Sequence, residues 1–319
     1  MSRAEGAPIP DVSVVVPIVE RHDDLVKLYH EYAAAIRRSG RSCEFVFVID
    51  GRQHVAIEAL TALKRETGDP ITIVVLGRSS GEAAALAVGF RTAKADVIVT
   101  LAAYFQVVSS GVSEAIGLVE SDTCDLLITR RFPRRDAAIN RIQAVMFHFL
   151  VRMMTSTRFH DISCGFRVMK KRVAEELALY GDLHRFIPIM AHSLGFTVKE
   201  IELQQRSEDT RARFVAPGIY LRRILDILTI FFLVKFTRKP LRFFGLIGSV
   251  VFASGFAIAF YLLLYRTLGL GGIAGRPLLL LGALLMVLGV QSFSIGLLGE
   301  IIIFTHVRQL REYRVAEIL

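Results

Sequence analysis

The sequence predicts an α/β domain of about two hundred residues with a Rossmann-like, mostly parallel sheet, followed by a hairpin of two membrane-spanning helices. Short apolar runs alternate with longer helical patterns over most of the chain, and two long runs with hardly a charge, residues 243–265 and 277–305, come after them. Each long run exceeds the roughly 20 residues needed to cross a bilayer core. The alternative is a helical hairpin buried in the core of a soluble protein, but such helices usually keep a polar edge.

Five apolar runs have the nearly continuous Val, Ile, Leu and Phe content of strands buried on both faces: residues 12–16, 44–49, 71–76, 97–101 and 125–129. Helical patterns lie between them, at residues 23–38, 55–66, 81–93 and 110–120. This alternation predicts a parallel sheet with right-handed crossovers. Because ligands bind such sheets outside the carboxyl ends of the strands, we expect one cleft lined by residues 17–22, 50–53, 78–82 and 102–106.

Two basic amphipathic segments precede the hairpin, at residues 137–155 and 219–236. Their charge and apolar faces favour the membrane interface, and ordinary packing on the sheet is the alternative. The predicted organisation is an α/β domain, an interfacial helix, the two-span hairpin and a basic tail, at residues 1–215, 216–241, 242–305 and 306–319.

Charge and cysteine content narrow the function classes. The net charge is +9, but no nucleic-acid-binding motif accompanies it, and anionic lipid headgroups explain basic residues near the spans and around residues 130–141. Basic residues outside the two spans outnumber those between them, which predicts cytoplasmic termini, and residues 1–11 lack the apolar core of a signal peptide. The spacing of the three cysteines indicates core thiols, without a disulfide framework or zinc site: Cys43, Cys124 and Cys164.

The order of several short motifs resembles the polyprenyl-phosphate glycosyltransferases of glycosyltransferase family 2, both dolichyl-phosphate mannose synthase-like and bactoprenol glucosyltransferase-like. These motifs are Val-Val-Val-Pro17, Val48-Ile49-Asp50-Gly51, Arg78-Ser79-Ser80-Gly81, Cys164-Gly165-Phe166-Arg167, His184-Arg185-Phe186-Ile187-Pro188 and the terminal hairpin. The resemblance implies a GT-A fold that transfers a sugar, with inversion, from a nucleotide donor to the phosphate of a membrane-embedded polyprenol.

The resemblance also implies a metal site that this sequence lacks. Family members carry Asp-x-Asp after the fourth strand, where two carboxylates hold Mg²⁺ or Mn²⁺ against the donor diphosphate. Here Ala102 and Tyr104 occupy those positions. We therefore expect no metal cofactor of the family type.

The resemblance assigns a donor-binding set: Pro17, Asp50, Gly51, Arg78 and Gly81. Asp50 alone remains of the paired acidic residues after the second strand, and a turn-forming role before glycine is its alternative. Where the family commonly has Tyr-Asn-Glu, this chain has Val19-Glu20-Arg21, and Glu82 stands where a lysine is common. A glutamate there would repel a phosphate.

On the acceptor side, Asp161 and Arg167 lie in the segment that closes the family's active site, which implies a catalytic role. A helix cap or an ion pair between these two residues is the alternative for Asp161. Arg130, Arg131 and Arg213 fall near the expected lipid-phosphate site, where arginine forks suit phosphate. A basic loop facing solvent or lipid headgroups is the alternative for these arginines.

The hairpin carries two polar residues in its second span. We expect Gln291 to bond across helices and Glu300 to be solvated or paired near the cytoplasmic surface. Glycines along both spans fit a homo-oligomer. Two hypotheses follow: a glycosyltransferase that works without the usual metal on a nucleotide sugar and polyprenyl phosphate, or a catalytically inactive pseudo-glycosyltransferase that acts as a lipid-binding or scaffolding partner.

Overall fold

Seven strands form the first unit of the chain, in a computed structural model that describes residues 9–19, 21–133, 159–181, 183–210, 240–269, 272 and 277–306. The strands are β1 (Val12–Ile18), β2 (Cys43–Ile49), β3 (Ile71–Val75), β4 (Val97–Thr100), β5 (Leu126–Arg131), β6 (Arg167–Lys170) and β7 (Val198–Leu203). Their order is β3-β2-β1-β4-β6-β5-β7. Only β6 runs antiparallel to its neighbours, β4 and β5, so the prediction of a mostly parallel sheet is confirmed.

Helices cover the sheet as the apolar periodicity predicts. They are α1 (Leu25–Arg37), α2 (His54–Thr67), α3 (Glu82–Thr92), α4 (Val112–Glu120), α5 (Lys171–Glu176) and α6 (Ile187–Ser193), with short 3₁₀ turns at Ser109–Gly111, Leu183–Phe186 and Ser207–Thr210. The side chain of Asp24 caps α1 by accepting bonds from the backbone N–H groups of Val26 and Lys27, both at 3.0 Å. The predicted helices and strands agree with the observed bounds to within two residues.

Burial follows position in the sheet. The central strands β1 and β2 are buried along their whole length, as predicted. The edge strand β3 is not: only Ile71 is buried, and Val75 is 42% exposed. The prediction of burial on both faces was therefore wrong for β3, because an edge strand has one unpaired side. The three cysteines are free and buried, in agreement with core thiols.

Two long helices make up the second unit, α7 (Pro240–Thr267) and α8 (Pro277–His306). Both are long and apolar enough to cross a membrane, with a mean hydropathy of 2.2 in each. Glycines bring their backbones together: a Cβ at Gly248 would lie 2.6 Å from the carbonyl oxygen of Gly289, and one at Gly255 would lie 2.6 Å from that of Gly282. These glycines pack the hairpin itself, as small residues do between membrane helices.

The polar residues of α8 differ from each other in their surroundings. Glu300 is paired, because its Oε2 lies 3.4 Å from the backbone nitrogen of Leu241 and accepts a bond in the first turn of α7. Gln291 is exposed and makes no hydrogen bond within the described part of the hairpin. Bonding of Gln291 across the two helices of one hairpin is therefore not what the structure shows. The predicted amphipathic segments and the basic tail lie outside the described residues.

Replacing Gly255 with valine is expected to destabilise the hairpin. The added side chain would meet backbone atoms, the oxygen of Gly282 and, at 2.8 Å, the nitrogen of Met286, so the helices must separate and lose packing along the contact. The measurement is the thermal unfolding midpoint of the full chain in detergent by circular dichroism. The control is Ala253→Val, at an exposed position of the same helix, and equal midpoints for the two variants would contradict the role given to Gly255.

Candidate active site

The predicted cleft lies where the strand order reverses. From β1 the chain adds β2 and β3 on one side, and then crosses to place β4 on the other side of β1. In open α/β sheets this topological switch point, outside the carboxyl ends of the strands, is where ligands bind. The loops after β1 and β4 therefore meet at the switch point, and the loops after β2 and β3 lie beside them.

Asp50 ties together two of these loops. It is 5% exposed, and its carboxylate accepts bonds from Ser79 Oγ at 2.8 Å, from the Ser80 N–H at 2.6 Å and from the Gly81 N–H at 3.0 Å. Gly51 and Gly81 have positive φ angles of 78° and 86°, which only glycine adopts without strain. The structure thus gives Asp50 a loop-holding role, and its contact with a nucleotide stays a prediction.

The other two predicted donor-binding residues differ in accessibility. Pro17 is buried within β1, where it can shape the cleft floor but offers no polar group. Arg78 is exposed at the start of the loop that Asp50 holds. Arg78 is therefore accessible to a ligand and Pro17 is not, and donor binding by both residues stays a prediction.

Hydrogen bonds join the loop after β4 to the loop after β1. The Asp23 N–H donates to the carbonyl oxygen of Ala103 at 2.9 Å, and the Phe105 N–H donates to Asp23 Oδ2 at 3.2 Å. The guanidinium carbon of Arg21 lies 4.0 Å from the centroid of the Tyr104 ring, a cation–π distance. The sequence did not single out Arg21 as a site residue, although its change from acid to base was visible.

A buried amide supports Tyr104 from the other side. Gln106 is 4% exposed; its Nε2 donates to the hydroxyl of Tyr104 at 2.9 Å, and its Oε1 accepts from the Gly165 N–H at 2.7 Å. A Cβ at Gly165 would lie 3.2 Å from that of Ala102. The loop that follows β4 is thus packed against the segment that leads into β6.

These residues do not fit a divalent cation. Ala102 has no oxygen ligand in its side chain, Tyr104 presents a phenol bonded to Gln106, and the neighbouring group is the cation of Arg21. Mg²⁺ and Mn²⁺ prefer carboxylate oxygens. Across the part of the chain that the structure describes, no group of three or more His, Cys, Asp and Glu side chains could hold a metal ion. That the protein uses no metal stays a prediction.

Asp161 is held by Arg131 rather than by Arg167. Its Oδ2 accepts from Arg131 Nε at 2.7 Å and its Oδ1 from Arg131 Nη2 at 3.0 Å, a two-pronged ion pair between side chains that are 2% and 9% exposed. Asp209 accepts from Arg131 Nη1 at 2.8 Å, and Ser163 Oγ donates to Asp161 at 2.8 Å. Burial opposes the charge of Arg131, but bonds to Asp161 and its charge raise the pKa of Arg131 above its ordinary value.

The sequence alternative, an ion pair between Asp161 and Arg167, is therefore wrong: Asp161 forms an ion pair, but with Arg131. Arg167 is 3% exposed; its Nη2 donates to the carbonyl oxygen of Ile162 at 3.2 Å, and its Nε has no hydrogen-bond partner among the described residues. Burial lowers the pKa of Arg167, and the negative charge of Glu82 opposes this shift. A catalytic role for Asp161 and Arg167 stays a prediction.

His184 lies beside the same carboxylate. Its Nε2 is 3.3 Å from Glu82 Oε2, yet burial, with Arg185 and Arg167 nearby, lowers the pKa of His184 to about 3. The ring is therefore neutral at pH 7, and its contact with Glu82 is not an ion pair. Its Nδ1 is buried without a hydrogen-bond partner in the described residues. His184, which the sequence named only within a motif, thus lies against Glu82 at the start of α3.

The buried neutral ring of His184 predicts a pH-dependent stability. Its pKa falls from 6.5 in the unfolded chain to about 3 in the folded protein, so below pH 6.5 only the unfolded chain takes up the proton. The free energy of unfolding should fall by about 2 kcal/mol from pH 7.5 to pH 5 through this group. Urea unfolding of His184→Gln should show a smaller loss over this range than the parent protein. His54→Gln, at an exposed position, should match the parent, and equal pH slopes in both variants would contradict the assignment.

Two of the three predicted acceptor-phosphate arginines lie in the described residues, and both are paired with carboxylates. Arg130 is half-buried and pairs with Glu202 at 2.7 Å, whereas Arg131 is committed to Asp161 and Asp209. Arg213 lies outside the described residues. Their contact with a lipid phosphate stays a prediction.

Comparison with known proteins connects this arrangement to one family. The chain matches the family model described as glycosyl transferase family 2 over residues 13–178. It is 31% identical to an undecaprenyl-phosphate 4-deoxy-4-formamido-L-arabinose transferase of Pseudomonas paraeruginosa, over 92% of this chain and 85% of the relative. A relative of the same name from Pectobacterium carotovorum is 30% identical, over 96% of this chain and 92% of its own.

Solved structures share the fold at low identity. Glucosyl-3-phosphoglycerate synthase of Mycobacterium tuberculosis, in complex with uridine diphosphate, superposes with a TM-score of 0.51 at 14% identity, covering 70% of this chain and 80% of its own. The same enzyme was solved with Mn²⁺, uridine diphosphate and phosphoglyceric acid, with a TM-score of 0.51 and 14% identity. At such identities the likeness shows the fold alone.

Proposed function

Because this chain belongs to glycosyl transferase family 2 and has a GT-A fold, we propose that it transfers a sugar from a nucleotide donor to undecaprenyl phosphate or a closely related polyprenyl phosphate. The observation that carries the proposal is the extent of the match. Relatives named for undecaprenyl-phosphate transfer align over 92% and 96% of the chain. Two helices suited to a membrane occur in the same chain.

The proposed reaction does not require a general base to activate the acceptor. An oxygen of the polyprenyl phosphate attacks the anomeric carbon of the sugar, and the bond from that carbon to the diphosphate oxygen breaks. The electron pair leaves with the nucleoside diphosphate. Since a phosphate monoester is already an anion at pH 7, no proton has to be removed from the acceptor. The pairing of Asp161 with Arg131 is compatible with this chemistry.

Membrane attachment would bring the enzyme to its acceptor. The tail of a polyprenyl phosphate stays in lipid and its phosphate at the surface, so a catalytic domain must work at that surface. We place both termini in the cytoplasm, because basic residues lie outside the two spans, including Arg242 before the first and Arg308 after the second.

The direct test is transfer to a defined lipid. The full chain is reconstituted in vesicles that contain undecaprenyl phosphate, and labelled nucleotide sugars are added one at a time, including the nucleotide derivative of 4-deoxy-4-formamido-L-arabinose, the sugar in the relatives' names. We expect a lipid-extractable sugar and one nucleoside diphosphate released for each sugar transferred. Vesicles without undecaprenyl phosphate are the control. No lipid-linked product from any donor would reject the proposal and favour an inactive, lipid-binding relative.

We further propose that hairpins from several copies associate through Gln291. This amide lies halfway along α8, is exposed, and borders a groove of about 340 Å³ lined by Phe252, Met286, Val287 and Val290. A polar group in a bilayer gains from a partner on another helix. The amide of a second copy can supply that partner across the groove.

Gln291→Leu is expected to shift the protein towards monomer, because it removes an interhelical hydrogen bond worth about 1 kcal/mol in a membrane. Energy transfer between labelled chains in vesicles, measured over a dilution series in lipid, gives the association constant. Ser294→Ala is the control, because the hydroxyl of Ser294 bonds within its own helix, to the carbonyl oxygen of Val290 at 2.9 Å. An unchanged association constant for Gln291→Leu would contradict the proposal.

A further inference from the structure

A cationic side chain lies where the two loops of the switch point meet. Arg21 follows β1 and Tyr104 follows β4, and the guanidinium carbon of Arg21 is 4.0 Å from the centre of the Tyr104 ring. The bonds of Asp23 to both sides of Tyr104, at Ala103 and Phe105, hold the two loops together. The ring therefore has a fixed face on which the guanidinium rests.

Among the described residues, Arg21 has few hydrogen-bond partners for its five N–H donors. Its Nη2 donates to the backbone oxygen of Glu208 at 2.9 Å, and its Nε is buried without a partner in the described residues. Within the same residues Arg21 forms no ion pair with any carboxylate, in contrast to Arg131, which binds two. A guanidinium has five N–H donors in a planar fork that fits phosphate oxygens. The side chain thus carries a charge that no described group of opposite sign neutralises.

The lost metal ligands and the gained arginine occupy the same place. Tyr104 stands at one of the two positions where the family holds its cation, and Arg21 lies on it. A divalent cation beside a guanidinium would be repelled, whereas an anion would be attracted. The guanidinium of Arg21 therefore stands where the resemblance implies a divalent cation. Both groups are positively charged, but the guanidinium binds anions through N–H donors and the cation binds them as ligands.

We propose that Arg21 binds the donor diphosphate and offsets the negative charge that develops on it as the bond to the anomeric carbon breaks, in place of a divalent cation. This inference rests on the proposed function and deepens it. Tyr104 acts as a positioning residue, because its ring, fixed by Gln106, orients the guanidinium. A charge aimed at a leaving group from a preorganised site lowers the barrier without a metal.

Binding of a nucleoside diphosphate tests the inference without turnover. Uridine diphosphate and guanosine diphosphate are titrated into the full chain in detergent by calorimetry, once with EDTA and once with Mg²⁺. We expect binding of at least one of them in EDTA, less than a twofold gain from Mg²⁺, and at least tenfold weaker binding by Arg21→Gln. Arg21→Lys keeps the charge but loses the planar fork, so its affinity should lie between those of the parent and Arg21→Gln. The control is Arg38→Gln, just beyond the end of α1, where the exposed side chain of Arg38 donates to the carbonyl oxygen of Ala34 at 3.3 Å.

The outcomes separate this inference from the proposed function. Equal binding by Arg21→Gln and the parent, binding that requires Mg²⁺, or no binding of either nucleotide would overturn the role of Arg21. Metal-free, Arg21-dependent binding without lipid-linked product would retain the diphosphate site and reject the transferase.

In the transfer assay we expect activity to survive EDTA and Arg21→Gln to lower kcat about 100-fold. Tyr104→Leu should weaken binding more than Tyr104→Phe, which keeps the ring.

Discussion

Replacing Asp50 with alanine is expected to raise the KM for the nucleotide sugar at least tenfold. The carboxylate holds the loop after β3 through the Ser79 hydroxyl and the N–H groups of Ser80 and Gly81. Hydrogen bonds to a charged group contribute roughly 1.5–3 kcal/mol each, so a loop without this anchor samples many conformations. Loss of even one such contribution in the bound state corresponds to about a tenfold change in affinity. Steady-state kinetics of transfer to undecaprenyl phosphate measure the effect.

Asp11 provides a matched control, because it lies at the other end of the sheet, where β1 begins. Asp11 also binds a loop serine, with Ser42 donating its N–H at 2.8 Å and its hydroxyl at 2.7 Å, but it lies at the amino end of β1. Asp11→Ala removes a similar set of bonds and should leave the KM unchanged. Asp50→Asn keeps the size but weakens the anchor, and its KM should lie between those of the parent and Asp50→Ala. A KM that rises equally for Asp11→Ala and Asp50→Ala would mean general destabilisation.

The architecture of the first unit could be predicted because its signals are local. Unbroken Val, Ile and Phe runs such as residues 45–49 strongly favour a buried strand. The strand β6 was not predicted, because Arg167-Val168-Met169-Lys170 is short and begins and ends with a charge. Its antiparallel pairing with β4 and β5 depends on the return path of the chain, which periodicity does not contain.

The site was predicted less completely, because its contacts join residues distant in sequence. Motif order indicated which segments form the cleft, yet the partner of Asp161 is Arg131, 30 residues away, and that of Arg21 is Tyr104, 83 residues away. Which of several arginines reaches a carboxylate depends on strand register and loop path. The change from acid to base at Arg21 was readable, but its meaning required the position of the Tyr104 ring.

Replacing Asp161 with asparagine is expected to lower the free energy of unfolding by roughly 3 kcal/mol, because a buried guanidinium loses one of its two carboxylate partners, the one that binds it with two prongs. Arg131 loses its two-pronged partner and keeps Asp209, at 2.8 Å, and the hydroxyl of Ser163, at 2.7 Å. Chemical denaturation of the full chain, followed by circular dichroism, measures the loss. At a temperature where the variant is folded, kcat should fall little, since the acceptor phosphate needs no base. A large fall in kcat with unchanged stability would instead support Asp161 as a catalytic residue.

A double variant tests whether the ion pair between Arg131 and Asp161 itself stabilises the fold, or whether only the loss of one partner is costly. Replacing both members, as Arg131→Met with Asp161→Leu, removes both charges together and fills their volume with apolar atoms. Such exchanges of a buried ion pair are often neutral or stabilising, whereas loss of one partner is costly. The double variant should therefore be more stable than Asp161→Asn, since Asp209, the carboxylate that remains, still accepts a bond from Gln205 Nε2 at 2.7 Å. A double variant less stable than Asp161→Asn would show that the charged pair itself, rather than its balance, organises the loop between residues 159 and 163.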